Sequence, residues 1–214
     1  MFLLPGLPSK KHTLDVVRHR QSKRQKADGA DSNPDAEFEV LAKQSMPGGS
    51  ECNLIYKDPS TGGLLFVGTQ KFADHATMLA AARIKLVVNC KHLQFSSGAA
   101  ARGDAEWMNW PVGAWRHQGL EATPAAVMNW CEPVMKAIKA HLDSGRAVLL
   151  HCEVGRHRSA AAATVMLMYL CGCTQEQAIR ELLRRRPVCE PRKSSRLREF
   201  LDLVEVALCR YHSG

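Results

Sequence analysis

Short apolar runs along this chain alternate with segments in which hydrophobic residues recur every three or four positions. The runs at Leu64–Val67, Lys85–Asn89 and Val148–Leu150 are short and bounded by polar or turn residues, which is typical of buried strands. A further strand is predicted around Trp107–Val112. Strands separated by helices favour one α/β domain with a mostly parallel central sheet flanked by helices.

The stretches of helical period repeat apolar residues every three or four positions, which places them on one face of a helix. Thr123-Pro124 predicts a helix start, and Pro133 is expected to kink that helix or to lie on its exposed face. Thr174 and Gln177 form a capping box before the next helix. The other predicted helices cover residues 72–83, 159–171, 175–185 and a last segment striped by Leu197, Leu201, Val204 and Leu208.

The first fifty residues follow a different pattern. Residues 27–36 are small and polar, so residues 1–50 are predicted to be a basic, disordered extension of a domain at residues 51–210. Two basic clusters within residues 10–26 have the form of a bipartite nuclear localisation signal. A solvated tail and a mitochondrial presequence are the alternatives. A basic arm of this kind would attract acidic partners or nucleic acid.

Composition narrows the class of protein. With 45% hydrophobic residues the chain can bury a core, while its apolar runs are too short to span a membrane. Eight cysteines scattered over 214 residues favour a reducing compartment, cytoplasmic or nuclear, over a disulfide scaffold. Cys171-Gly-Cys173 has no second ligand pair nearby, so we expect no metal site.

The segment 148–159 carries the clearest chemistry. Its apolar strand runs into His151 and Cys152, and Arg158-Ser159 then opens an alanine-rich helix. A loop between a strand and a helix N-terminus directs backbone amides at one spot and can hold a dianion there. Those amides and Arg158 should stabilise a thiolate at Cys152, and a guanidinium can grip two phosphate oxygens side-on. The segment therefore predicts a nucleophile and a phosphate clamp in one loop.

The same residues resemble a known family. His151-Cys152, five residues, then Arg158-Ser159 resembles the signature of the cysteine-dependent protein tyrosine phosphatases. The flanking residues, from Leu65-Phe66-Val67-Gly68 upstream to Arg186-Pro187 downstream, are similar to dual-specificity phosphatase domains over roughly residues 52–208. The resemblance implies that fold, a phosphorylated protein as substrate, and no cofactor.

The resemblance also implies a role for each residue of the motif. Cys152 would attack phosphorus and form a phosphocysteine that water then hydrolyses, and Ser159 would help the thiolate leave. His151 would brace the loop and help to set the pKa of the thiol. Phosphate binding would fall to the loop residues Glu153, Val154, Gly155, Arg156, His157 and Arg158.

One part of the family pattern is missing. The family uses an aspartate as general acid on the loop after the preceding strand, but no aspartate lies between Asp104 and Asp143. Glu121 is the first candidate for the acid and His117 the second. A general acid is worth about 10²–10⁴-fold in rate, so its loss favours phosphotyrosine over phosphoserine, whose leaving group is the stronger base.

Alternatives to a protein phosphatase stay open. Arg156 and His157 could meet extra negative charge, as in phosphoinositide phosphatases, or Arg156 could point to solvent or pair with an acid. An RNA 5′-triphosphatase and a low-activity phosphate-binding module are also consistent with the missing aspartate. Cys90 follows a strand expected to neighbour that of Cys152, so it is either a redox partner of Cys152 or a buried thiol.

Overall fold

The computed structural model describes residues 51–92 and 104–211. The extension at residues 1–50, its basic arm and most of the loop predicted at residues 96–105 lie outside these described residues. The start of the domain at residue 51 therefore stays a prediction.

The described residues form a five-stranded sheet with helices packed against it. The strands are β1 (Cys52–Lys57), β2 (Leu64–Gly68), β3 (Ile84–Asn89), β4 (Glu106–Asn109) and β5 (Ala147–His151). The helices are α1 (Gln70–Ala73), α2 (Ala76–Ala81), α3 (Pro124–Asp143), α4 (Arg158–Cys171), α5 (Gln175–Arg185) and α6 (Ser195–Tyr211). A 3₁₀ segment at Val112–Gln118 follows β4.

The sheet is mostly parallel, as the pattern of strands and helices predicts. Its strand order is β1-β2-β5-β3-β4, and the antiparallel pairing is that of β1 with β2. The register places Gly68, His151, Asn89 and Asn109 side by side at the carboxyl edge. Ligands of such sheets bind at this edge, where β5 passes into the loop that begins at Cys152.

Two predicted elements are wrong in their extent. The helix expected over residues 72–83 is two helices, because Asp74 caps the end of α1 and His75 adopts an extended conformation before α2. Phe72 and Leu79 are both buried, and their spacing of seven residues would place them on one face of a continuous helix as well. The strand expected around Trp107–Val112 ends at Asn109, and the chain then turns through Pro111, which has no amide hydrogen for the sheet.

The predicted features of α3 and α5 are confirmed. Thr123 caps α3 with Pro124 in its first turn, and Pro133 lies on the exposed face of that helix. The side chains of Thr174 and Gln177 form the capping box of α5. In the part of the chain that the structure describes, no helix is both long and apolar enough to cross a membrane.

Helix α4 holds the loop from behind. Ten consecutive residues from Ser159 to Met168 are buried, because their alanines let the helix lie close to the sheet and the other helices. Burial on all sides fixes the helix in position. Its N-terminus is therefore held at the carboxyl edge of β5, next to Cys152.

Candidate active site

The loop between β5 and α4 forms a cup whose carbonyl groups face outward. The carbonyl oxygen of Glu153 accepts from the amide of Gln70 at 3.0 Å, and that of Arg156 accepts from the amide of Glu190 at 2.7 Å. The carbonyl of Gly155 accepts from the Nε of Arg186 at 2.9 Å.

The direction of the carbonyls fixes the direction of the amides. In a trans peptide the C=O of one residue and the N–H of the next point to opposite sides, and the described residues contain no cis peptide. The amides of Val154, Arg156 and His157 therefore face away from the outer contacts. Together with the first turn of α4 they make a nest for an anion.

Gly155 is the tightest point of the loop. Its φ of +65° lies in the left-handed region, which favours glycine. A Cβ atom here would lie 2.7 Å from the carbonyl oxygen of Gly68 and 3.0 Å from a terminal nitrogen of Arg186. Only a residue without a side chain lets the loop lie this close to the end of β2.

The thiol of Cys152 lies at the base of this loop, with 1% of the residue exposed. Burial by itself would raise the pKa of the thiol. The hydroxyl of Ser159 donates to the sulfur at 3.2 Å, and the amide of Ser159, the charge of Arg158 and the amide of Gly155 stabilise the thiolate further. Their combined effect outweighs burial and lowers the pKa of Cys152 below its ordinary value. The arrangement can present a sulfur nucleophile to an anion bound in the loop.

Arg158 starts α4, and the 3₁₀ segment supports its stem. A Cβ on Gly113 would lie 3.1 Å from Cγ and 3.2 Å from Cδ of Arg158. The absence of a side chain at Gly113 therefore leaves space for the stem of Arg158. Neighbouring Val112 and Ala114, where the family aspartate is expected, are both buried.

His151 ends β5 as a buried imidazole. Its ring meets Trp107 edge to face, with centroids 6.1 Å apart, and its carbonyl accepts from the amide of Cys90 at 2.8 Å. Burial lowers the pKa of His151 to about 4, so the imidazole is neutral at pH 7. A neutral, packed ring suits the bracing role implied for it and does not suit proton transfer near neutral pH.

The two basic side chains of the loop both contact one acid. The guanidinium of Arg156 donates from Nε to the carbonyl of Val188 at 3.0 Å and lies 3.2 Å from Oε2 of Glu190. The Nε2 of His157 is 2.9 Å from the same oxygen. Of the three arrangements considered for Arg156, which were contact with extra substrate charge, exposure to solvent and pairing with an acid, the structure shows the pairing with an acid. Glu153 pairs outward with Lys91, at 2.6 Å.

The motif does not reveal one residue of the site. Arg186 lies 28 residues beyond Arg158 in the chain and is 2% exposed. Its guanidinium donates to the carbonyl of Gly155 and to Oδ1 of Asn53 on β1. The sequence marks Arg186 only as part of the resemblance at Arg186-Pro187 and as an arginine ending an amphipathic helix, and neither signal indicates a cation buried behind the phosphate loop.

Among the described residues, none of the candidate acids, Glu121, His117 and Asp104, contacts Cys152. Glu121 is exposed in the loop between the 3₁₀ segment and α3. His117 is exposed, with its ring 5.7 Å from that of His92 and its Nε2 3.5 Å from Arg196. Asp104 is exposed before β4, as expected for a residue that precedes the strand.

Cys90 is buried at the end of β3, beside the strand that carries Cys152. Burial, reinforced by the charge of Cys152, raises the pKa of Cys90 well above its ordinary value. Cys90 is therefore a protonated, buried thiol next to the site. Within the described ranges, no three His, Cys, Asp or Glu side chains are grouped to hold a metal ion.

Comparison with known proteins gives consistent matches. The family model for the catalytic domain of dual specificity phosphatases matches residues 65–201. Human dual specificity phosphatase 28 is 31% identical over 147 residues, which cover 68% of this chain and 78% of the human protein. Its mouse counterpart is 32% identical over 127 residues, which cover 59% of this chain and 72% of the mouse protein.

Solved structures agree with these matches. The crystal structure of human DUSP28 superposes with a TM-score of 0.53 at 27% identity, covering 73% of this chain and 95% of the human one. A mouse protein described as a dual specificity phosphatase, complexed with zinc tungstate, has a TM-score of 0.55 at 28% identity and covers 69% of this chain and 86% of its own.

Proposed function

Because this chain belongs to the dual specificity phosphatase family, and is a protein phosphatase by that membership, we propose that it hydrolyses phosphotyrosine in proteins through a phosphocysteine at Cys152. Phosphothreonine and phosphoserine would be slower substrates. The observation that carries the proposal is a stabilised thiol at the base of an amide-lined loop that ends in Arg158. The similar mouse structure holds zinc tungstate, and tungstate is a tetrahedral oxyanion like phosphate.

In the first step, the thiolate of Cys152 attacks phosphorus. The S–P bond forms as the P–O bond to the tyrosine oxygen breaks, and the phenolate leaves with a proton from an acid or from water. Arg158 and the inward amides of the loop hold the three non-bridging oxygens as charge shifts toward the leaving group. These fixed cationic and dipolar groups need no metal ion or cofactor.

In the second step, water attacks the phosphocysteine. A P–O bond forms to the water oxygen, the S–P bond breaks, and the released thiolate accepts a hydrogen bond from Ser159. The 3.2 Å separation between Ser159 Oγ and Cys152 Sγ places this donor in reach of the leaving sulfur. Phosphate then leaves the loop and the thiolate is ready for another cycle.

The preference for phosphotyrosine follows from the leaving group. The 3₁₀ segment carries Val112 and Ala114 where the family acid is expected, and both are apolar and buried. Without strong acid assistance, the cost is smallest for a phenol, which has a pKa near 10, and larger for an alkyl alcohol. Glu121 stays our candidate for the acid, because a longer loop could carry it toward bound substrate.

Phosphate release from a substrate panel tests the proposal. The panel holds an aryl phosphate, phosphotyrosine and phosphothreonine peptides, a phosphoinositide and 5′-triphosphate RNA. We expect release that depends on Cys152 and is fastest from the aryl phosphate and phosphotyrosine. Cys152→Ser should abolish it and retain binding of phosphotyrosine peptide, whereas Cys171→Ser, at the opposite end of α4, should leave it unchanged.

Two outcomes would contradict the proposal. Preferred release from RNA or phosphoinositide would assign the same chemistry to a different substrate. Binding without turnover, from folded protein with reduced Cys152, would make the chain a phosphate-binding module.

A further inference from the structure

Glu190 lies outside the phosphate loop but contacts both of its basic side chains, Arg156 and His157. Its Oε2 atom is within hydrogen-bond distance of both Arg156 and His157, and its amide donates to the carbonyl of Arg156 at 2.7 Å. Oε1 pairs with Lys193 at 3.3 Å. The carboxylate of Glu190 thus contacts the side chains of both Arg156 and His157, and its backbone amide also binds the backbone of Arg156.

The contacts of Arg156 determine where its charge lies. Two of its donors are used on the segment after α5, one by the carbonyl of Val188 and one by Glu190. The Arg156 amide faces the anion nest, whereas its guanidinium is directed to Val188 and Glu190. The side chain is therefore turned away from the pocket that its own amide helps to form.

Glu190 is ionised at neutral pH. Its hydrogen bonds to His157 and Lys193 lower the pKa of the carboxyl group below its ordinary value. The negative charge offsets one unit of the positive charge that Arg156 and Lys193 bring to the rim of the loop. It would repel a second phosphate or carboxylate placed next to the phosphate in the nest.

We propose that Glu190 is a specificity-determining residue that restricts this phosphatase to isolated phosphate groups by holding Arg156 and His157 away from substrate. The inference rests on the proposed function, because the phosphate must bind in the loop. It predicts that a neutral residue at this position weakens the hold on both basic side chains, because the charge is lost, and removes the repulsion of a second anionic group on the substrate.

A matched pair of peptides measures this selectivity. Both carry the same sequence around one phosphotyrosine, and one carries a phosphothreonine two residues away. The readout is the kcat/KM for phosphotyrosine in the doubly phosphorylated peptide divided by that in the singly phosphorylated one. Glu190→Gln keeps the size of the side chain and removes its charge, and we expect it to raise this ratio about three- to tenfold, as expected for one partly exposed charge.

Two further variants separate a local effect from a change in net charge. Glu176→Gln removes the same charge from the first turn of α5, where Glu176 pairs with Arg180, and should leave the ratio unchanged. In the double variant with Arg156→Ala and Glu190→Gln, the ratio should fall most of the way back to the wild-type value. An unchanged ratio in Glu190→Gln, or an equal rise in Glu176→Gln, would overturn the proposal.

Binding distinguishes this inference from the proposed function. Affinities of the two peptides for Cys152→Ser, with and without Glu190→Gln, need no turnover. If the wild type releases no phosphate but Glu190→Gln still favours the doubly phosphorylated peptide, the proposed reaction fails and the role of Glu190 stands. If turnover occurs and the binding ratio does not change, the role of Glu190 fails alone.

Discussion

A methyl group at Gly155 should impair catalysis more than it impairs folding. Gly155 and Gly172 both have positive φ, of +65° and +61°, so alanine at either site carries a backbone strain of about 1–2 kcal/mol. The sites differ in their surroundings. A Cβ at Gly172 meets nothing within 4 Å, whereas one at Gly155 lies 2.7 Å from the carbonyl oxygen of Gly68.

The collision sets the size of the expected effect. Carbon and oxygen atoms normally stay about 3.3 Å apart, so the loop or the end of β2 must move by roughly 0.5 Å. Gly68 is held in the sheet beside His151, and the loop is therefore the part that yields. Since a displacement of about 1 Å in a catalytic site can cost about 10²-fold, we expect Gly155→Ala to lower kcat/KM at least about tenfold.

Three measurements on each variant test this reasoning. They are kcat/KM with an aryl phosphate, the affinity for tungstate, and the free energy of unfolding in urea. Gly172→Ala should lose about 1–2 kcal/mol of stability and keep its activity, whereas Gly155→Ala should lose activity and tungstate affinity as well. If Gly155→Ala matched Gly172→Ala in all three, the close approach of the loop to β2 would have no bearing on catalysis.

Three further substitutions have distinct expected outcomes. Ser159→Ala removes a donor to the thiolate, so it should raise the pKa of Cys152, move the acidic limb of the kcat/KM profile to higher pH, and slow dephosphorylation of Cys152 in single-turnover assays; an unshifted limb would contradict this. The pKa of His151 is about 6.5 in the unfolded chain and about 4 in the folded one. The free energy of unfolding should therefore fall by about 3 kcal/mol because of His151 as the pH drops from 7 to 4. When urea unfolding is measured at both pH values, the free energy of unfolding of His151→Gln should fall much less between pH 7 and pH 4 than that of the wild type. Glu121→Gln should slow phosphothreonine release more than aryl phosphate release if Glu121 is the acid, and an equal rate and pH profile would exclude it.

The sequence predicts the centre of the site better than its surroundings. Cys152, Arg158 and the strand and helix around them lie within one short segment, where local rules for strands, anion-binding loops and helix N-termini apply. The mostly parallel sheet follows from the same alternation of strands and helices. The loop depends on contacts near in sequence, whereas the strand pairings of the sheet join residues up to 83 apart and are predicted only through the general rule that alternating strands and helices form parallel sheets.

The missed features depend on distant partners. Nothing local links Glu190 to His157 or Arg186 to Gly155, because these pairs meet only when α5 lies against the sheet. The break between α1 and α2 also has a weak local signal, since alanine-rich residues suit a continuous helix. Phe72 and Leu79, seven residues apart, would share one face of a continuous helix, so their spacing gives no sign of the extended His75 between them.

The buried guanidinium of Arg186 also has a consequence for the stage of synthesis at which the active-site loop can gain its support. It joins the loop to Asn53, which lies 133 residues earlier in the chain. During synthesis, Cys152 and Arg158 emerge before Arg186, which holds their loop. The link from the loop to β1 through Arg186 can therefore form only after α5 has been made. A growing chain or a fragment that ends before residue 186 would thus carry the whole signature motif without its support. The phosphatase site is completed late, when both ends of the domain have met.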